Sequence, residues 1–348
     1  QRQMCIRDSK GVVPAWQQLP SEAIVSLTQL RQTTYRWGLP VAVLSYGWAA
    51  KHHPDPTGEQ LRRMLPALRS MKNFKNSTGV YGKVPTWGLV WDFMSLPQRG
   101  YTTKYDADHE DRTDYQLKRF GEGLKHINVW YGHVRVTTLV CDWPMPAGAQ
   151  NPHPIDVRGW CVFERHLSSI VKDSYCYLQL SLLPADAKSM DWDDVFQACK
   201  GARRPPLAAD AFERLMRDNL ESGAFKFTNG KDATNVCIPQ YAEAFTRLLG
   251  TSKMLFYGNL GWGAAEGEQL AAAFAYAQSM GTAVAAERLL IFGNKLGTAG
   301  VRAIGKVIEA GALPRLKIFW IQDNGADDET REWIKTVARG AGCPKVYA

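Results

Sequence analysis

No two cysteines in this 348-residue sequence stand in C-x-x-C spacing, and the seven present (Cys5, Cys141, Cys161, Cys176, Cys199, Cys237 and Cys343) are an odd number. That spacing excludes a zinc ribbon and argues against a disulfide framework, so a reducing, cytoplasmic setting is expected. No apolar run approaches the roughly 20 residues of a membrane-crossing helix. The first residues hold no apolar stretch of the secretory kind. Gln1 to Ser9, QRQMCIRDS, lead into no apolar period and read as a non-native leader of translated adaptor sequence. Neither a P-loop nor a G-x-G-x-x-G stretch occurs, which removes two common loops that cradle phosphates. A dense basic run is missing too. The net charge of +8 is spread thinly, and residues 249–348 are close to balance. Such a spread aids solubility and argues against a nucleic-acid partner.

Apolar residues make up 45% of the chain and charged residues 22%, as in a globular protein. Four runs read as strands: Val41 to Ser45, Gly88 to Asp92, Val134 to Val140 and Ser174 to Leu180. They are apolar at consecutive positions or rich in β-branched and aromatic residues. Loss of the in/out alternation marks strands buried on both faces, hence a parallel sheet covered by helices. Helical periods fall between them. Thr57 with Gln60 three residues on predicts a capping box, followed by Leu61, Met64, Leu65 and Leu68, with Pro66 expected to kink or shorten the helix. A second period runs from Gln116 to Trp130, and a third begins near Arg158. The alternation predicts a doubly wound α/β domain, flavodoxin-like in its parallel sheet, over residues 35–180. Residues 181–250 read as a helical connector, with helices over Leu207 to Leu220 and from Pro239 to a C-cap at Gly250.

The remainder, residues 251–345, is self-similar. Met254 to Asn259, Leu289 to Asn294 and Phe319 to Asn324 align on their asparagines, which are spaced by 35 and 30 residues. Apolar residues stand five and three positions before each: Met254/Phe256, Leu289/Ile291 and Phe319/Ile321. Helical stretches follow the first two. This pattern resembles leucine-rich repeats of the ribonuclease-inhibitor-like kind, which implies a short α/β stack that binds a protein partner. In this alignment Gly261 and Ala326 stand where Leu296 does. So short a stack needs shielding, by the connector in front and by a final helix over Glu329 to Ala338 behind.

The segment Arg158-Gly-Trp-Cys-Val-Phe-Glu-Arg-His-Leu bears most directly on chemistry. On a helix, Glu164 falls one turn beyond Trp160, on the face with Leu167 and Val171, while Arg165 falls on the other side. A buried carboxylate is costly unless paired or used. Glu164 is therefore either a tuned acid or a staple paired with Arg158 or another basic group. Ser45, Tyr46 and Asp92 stand at or just after the carboxyl ends of strands, where open α/β sheets bind ligands. Trp48 or Trp160 offers a surface for an aromatic base or for packing. His52-His53-Pro54-Asp55 has no third ligand spaced to join it, so no metal is expected. The acidic loop through Asp106, Asp108, Glu110 and Asp111 reads as a solvated segment.

Trp160-Cys161-Val-Phe-Glu164 resembles the W-C-x-x-E segment of TIR domains, and the order of elements over residues 39–180 is similar to theirs. The match departs at Arg158, where plant-type TIR domains usually carry a small serine. It departs also at the longer loop Gln98 to Asp114 and at a Pro-rich insertion, Trp143 to Ile155. In TIR domains that hydrolyse NAD the glutamate of this helix is catalytic. The resemblance thus implies that role for Glu164, with NAD as substrate rather than resident cofactor, and Ser45, Tyr46, Trp48, Asp92, Arg158 and Trp160 lining its site. It implies self-association of this domain as well. The expectation is a signalling or defence-type protein that binds or hydrolyses NAD and recognises a protein through its repeats. The alternative is a non-enzymatic adaptor that works only through protein contacts.

Overall fold

The computed structural model describes residues 11–26, 40–73, 87–102, 108–184, 187–201 and 203–348. The leader Gln1 to Ser9, the start of the α/β domain at 35–39, and Asp106 lie outside the described residues. Two compact units emerge. The first comprises 1–130, 136–161 and 178–199, the second 131–135, 162–177 and 200–348. The connector is thus divided, 181–199 falling with the first unit and 200–250 with the second. The boundary also passes through the helix that carries Trp160 and Glu164.

The first sheet is built on strands β1 (Val41–Tyr46), β2 (Gly88–Val90), β3 (Val136–Cys141) and β4 (Tyr177–Gln179), in the order β2-β1-β3-β4. β1 pairs in parallel with β2, Val41 opposite Gly88, and with β3, Val41 opposite Val136 and Tyr46 opposite Cys141. Every residue of β3 is buried, as is all of β1 beyond Val41. That two-sided burial is why these runs lack alternation. Helices lie between the strands: α1 (Glu59–Asn73), the one-turn α2 (Asp92–Ser95), α3 (Asp114–Lys125), α4 (Ile127–Gly132) and α5 (Gly159–Ser169). α6 (Trp192–Cys199) follows β4. Ala42, Leu44 and Leu139 of the sheet join Leu61, Met64 and Ala67 of α1 and Val195 and Cys199 of α6 in one core.

Three local expectations are corrected. The cap of α1 is Asp55, not Thr57: its carboxylate accepts from the N–H groups of Gln60 (3.1 Å) and Leu61 (2.8 Å). The Gln60 amide turns away to the carbonyls of Gly47 (2.9 Å) and Pro54 (2.8 Å), tying the helix start to the loop after β1. Pro66 does not end α1, which continues to Asn73. An interior proline costs ~3 kcal/mol, and the buried stripe Leu61, Met64, Ala67 and Met71 offsets it. The helix expected over 116–130 is two, broken at His126, and the capping box belongs to Thr113 and Gln116.

In the second unit α7 (Ala209–Glu221) and α8 (Ile238–Thr251) precede the repeats. α8 opens directly from a π-helical turn, Ala233–Cys237. The widened turn sits where Pro239 lacks an N–H to give. Gly250 lies inside the last turn of α8 and is not its cap; Ser252 is, donating to the carbonyl of Leu248. Phe212 and Tyr241 stack at 3.9 Å between α7 and α8.

The repeats form a second parallel sheet, β5 (Met254–Phe256), β6 (Arg288–Leu290), β7 (Ile318–Trp320) and β8 (Lys345–Tyr347), in sequence order. Between successive strands run α9 (Ala264–Ser279), α10 (Gly297–Glu309) and α11 (Asp328–Gly340). The register corrects the first repeat by one residue: Leu255 pairs with Leu289 and Phe319, and Met254 with Arg288 and Ile318. Leu260 therefore takes the place of Asn294 and Asn324, and Trp262, not Gly261, that of Leu296. Asn259 instead matches Gly293 and Asp323, and all three adopt left-handed φ (56°, 67° and 56°). The fourth rung, β8, follows the helix that was expected to close the stack.

Asn294 holds the rungs together. Its amide donates to the carbonyls of Tyr257 (2.9 Å) and Ile291 (2.8 Å), and its oxygen accepts from the N–H groups of Leu260 (2.8 Å) and Trp262 (3.2 Å). Asn324 repeats the donor half, to Ile291 (3.0 Å) and Ile321 (2.8 Å). The helices approach closely through small residues: a Cβ on Gly267 would lie 2.9 Å from the Cα of Gly300.

Candidate functional site

Tyr46 and Trp48, two of the residues singled out at or just after the end of β1, gather on the Asp92 carboxylate. Ser45 is fully buried within β1. The Tyr46 hydroxyl donates to Asp92 Oδ1 at 2.6 Å, the Trp48 indole to Oδ2 at 2.9 Å, and the N–H of Phe93 to Oδ1 at 2.6 Å. Burial pushes the Asp92 carboxyl above its ordinary value, and the three donors pull the other way. Phe93 meets Trp48, His53 and Tyr101 edge-on, at 5.5, 4.8 and 5.6 Å. These contacts commit both polar ring atoms, the Tyr46 hydroxyl and the Trp48 indole, to the protein itself.

Arg158 and the Pro-rich stretch over 143–155 form one feature. The Arg158 guanidinium donates to the carbonyls of His153 (2.8 Å), Asn151 (2.7 Å) and Trp48 (2.8 Å). Two of these acceptors belong to the Pro-rich insertion, so the arginine anchors the inserted stretch to the loop beyond β1. A Cβ on Gly47 would lie 2.8 Å from Arg158 Nε and 3.0 Å from Met145 Sδ, so glycine is what lets the side chain in. Cys161 at the start of α5 donates to the Tyr46 carbonyl at 3.2 Å. Trp160 is half-buried.

Glu164 belongs to the second unit, whereas Ser45, Tyr46, Trp48, Asp92, Arg158 and Trp160 belong to the first. Its side chain is 9% exposed, in line with Phe163 and Leu167, which are fully buried. The Cys237 thiol is pushed up, first by burial and then by the carboxylates of Asp232 and Glu164. Arg165 is half-buried and directs Nε to the Tyr177 hydroxyl at 3.3 Å. Next along, His166 lies against the rings of Phe212 and Tyr241, and burial lowers its pKa to about 3.

Of the other candidates, His53 accepts from the Asp55 N–H through Nδ1 (2.9 Å) and places Nε2 3.0 Å from the Val13 carbonyl. Among the described residues no group of three or more His, Cys, Asp or Glu is placed to hold a metal ion, and no helix is long and apolar enough to cross a membrane. In the acidic loop Asp111 accepts from the N–H groups of Gly100 and Thr102, both at 2.7 Å. Asp108 pairs with Lys51, and Glu110 with Arg112.

One feature of the second unit escaped the sequence reading. The repeat sheet buries Leu255, Leu289 and Phe319 on one face. The opposite face carries an aromatic row, Tyr175, Phe256, Phe292, Trp320 and Tyr347. Neighbouring rings lie 5.3, 5.7, 4.6 and 5.7 Å apart in that order. Tyr175 and Tyr347 are each 44% exposed and Trp320 38%. Beside them the first strand positions, Met254, Arg288, Ile318 and Lys345, line up across the sheet. The signal was present in the sequence, but the one-residue shift in the first repeat hid Phe256 among the inward positions.

The outer edge of β5 is covered from within. Arg203, fully buried, donates to the carbonyls of Ser169 (2.7 Å), Lys172 and Phe256 (3.3 Å), and Ser174 donates to that of Gly258 (2.9 Å). The Tyr257 hydroxyl reaches the Ile170 carbonyl at 2.5 Å.

Comparison with known proteins finds no matching family model, no matching curated protein and no matching solved structure.

Proposed function

We propose that this chain is a recognition protein of the signalling or defence kind, in which a TIR-like unit is joined to a leucine-rich-repeat-like stack that binds a protein partner. The observation that carries this reading is the second sheet: one face is packed, while the other leaves a continuous aromatic row at the surface. Exposed contiguous apolar surface rimmed by polar groups is the usual mark of a protein contact. The polar groups at the strand ends of the first unit favour the adaptor form, since Asp92, Tyr46, Trp48 and Arg158 spend their hydrogen bonds on the protein itself. Affinity capture by the full chain, compared with a Trp320→Ser variant and followed by reconstitution with the purified captured protein, tests it. Direct binding that Trp320→Ser abolishes is expected. Partners held equally by both chains would count against the repeat face.

A second reading, NAD binding and hydrolysis with Glu164 as the catalytic residue, draws support from Cys161, whose thiol fastens the start of the W-C helix to the end of β1. It predicts nicotinamide release from NAD by the full chain, lost in Glu164→Ala with folding retained. A stability change in that variant without turnover in the parent leaves only the adaptor.

A further inference from the structure

We propose that the aromatic row of the repeat sheet receives an acidic segment of another protein, one whose apolar side chains lie along the row and whose carboxylates meet Arg288 and Lys345. The proposal rests on the reading of the repeats as a protein-binding module and adds the chemistry of the partner.

Strand alternation sets the surface. Leu255, Leu289 and Phe319 point into the stack, so their neighbours on either side point out. Phe256, Leu290, Trp320 and Tyr347 are opposite one another in register, as are Met254, Arg288, Ile318 and Lys345. Parallel strands lie about 4.8 Å apart, so four rungs give a strip about 15 Å long, enough for about five extended residues. The strip is apolar along its length and cationic along one side.

Charge decides the partner. Arg288 and Lys345 are exposed, and neither is within ion-pair distance of a carboxylate among the described residues. At the head of the same rungs, Glu287 is taken up by Lys317 (2.9 Å) and Lys253 (3.6 Å). At the far end of the row Lys200 lies over the Tyr175 ring at 5.0 Å. The face therefore offers cations beside desolvating aromatic surface, where a partner carboxylate is favoured and a partner lysine is repelled. A protein segment fits better than a nucleic acid. Bases stack on open ring faces, whereas these rings meet edge-to-face or tilted and take up one another's faces.

The test uses the full chain and two synthetic peptide pools of about twelve residues, long enough to overhang the strip. Both carry a central Trp, Phe or Leu; one is flanked by Asp and Glu, the other by Lys. Oligouridylate is the third probe. The acidic pool is expected to bind more tightly, Trp320→Ser to weaken it by about 10-fold or more, and the double variant Arg288→Glu/Lys345→Glu to reverse the preference. All three positions reach the surface, so one cooperative unfolding transition in each variant shows the fold is kept. If the Lys pool binds as well as the acidic one and Trp320→Ser still abolishes binding, the acidic partner is overturned while the protein-binding reading stands. If no peptide binding depends on Trp320, both are overturned. Tighter binding of oligouridylate through Trp320 would make the face a nucleic-acid surface and overturn both as well.

Discussion

The two sheets of this protein use the same element, four strands of three to six residues, to opposite ends. In the first sheet β1 and β3 are covered on both faces, and the polar groups at their carboxyl ends are bonded inward. In the second, helices cover one face, and aromatic rings crowd the other without closing it. A doubly wound sheet buries consecutive residues and concentrates chemistry at its edge. A repeat sheet buries alternate residues and leaves a whole face for contact. On the proposed reading, the open face of the second sheet is where a partner would be met, and the first sheet, with its strand-end groups bonded inward, acts as the scaffold.

The largest expected effect sharpens the repeat side. Asn294→Ala removes four hydrogen bonds from the interior and leaves buried groups of two rungs without partners, a loss of about 3–5 kcal/mol. Asn324→Ala removes donor bonds only and should cost about half as much. Denaturant titration of both variants checks the order; equal losses would mean that the bonds Asn294 accepts from Leu260 and Trp262 contribute nothing.

Next comes the seal of the first unit. Arg158→Lys cannot reach three carbonyls from one ammonium, so a loss of about 1–3 kcal/mol is expected, with protease cleavage appearing within 143–155. Retention of full stability would show that the insertion is held by other means.

A further effect lies in pH. Burial lowers Lys172 to about 7, with Cys176 opposing and Arg203 assisting. The folded state therefore gives up this proton first. Between about 7 and the ordinary 10.5 it binds fewer protons than the unfolded chain, so stability rises with pH through that window. Melting temperatures across pH 7 to 10.5 should climb in the parent and stay flatter in Lys172→Met; parallel curves would remove Lys172 from the account.

Much of this was legible in the sequence. β1 and β3 stood out because two-sided burial writes an unbroken apolar run, and the Asn294 and Asn324 rungs because a buried asparagine must recur with its loop. What was hidden had specific causes. Asn259 imitates the repeat asparagine, but it is there because its type tolerates the left-handed backbone that Gly293 and Asp323 share. β8 offers only Lys-Val-Tyr after Cys343-Pro344, too short a run to read. Arg158 read as a mismatch until its acceptors in the insertion were seen. That Glu164 and the strand-end residues fall in different compact units could not be inferred from helical spacing.

The measurement that tests the account most directly is affinity for the acidic peptide pool in Trp320→Ser and Trp48→Phe. Trp320→Ser, which gives up its ring contacts with Phe292 and Tyr347, should lower stability by about 1–2 kcal/mol, stay folded and lose binding. Trp48→Phe, which deprives Asp92 of a donor, should lower stability and leave affinity intact. Lost binding in Trp48→Phe, or retained binding in Trp320→Ser, would contradict the division into a sealed scaffold and an open, recognising face.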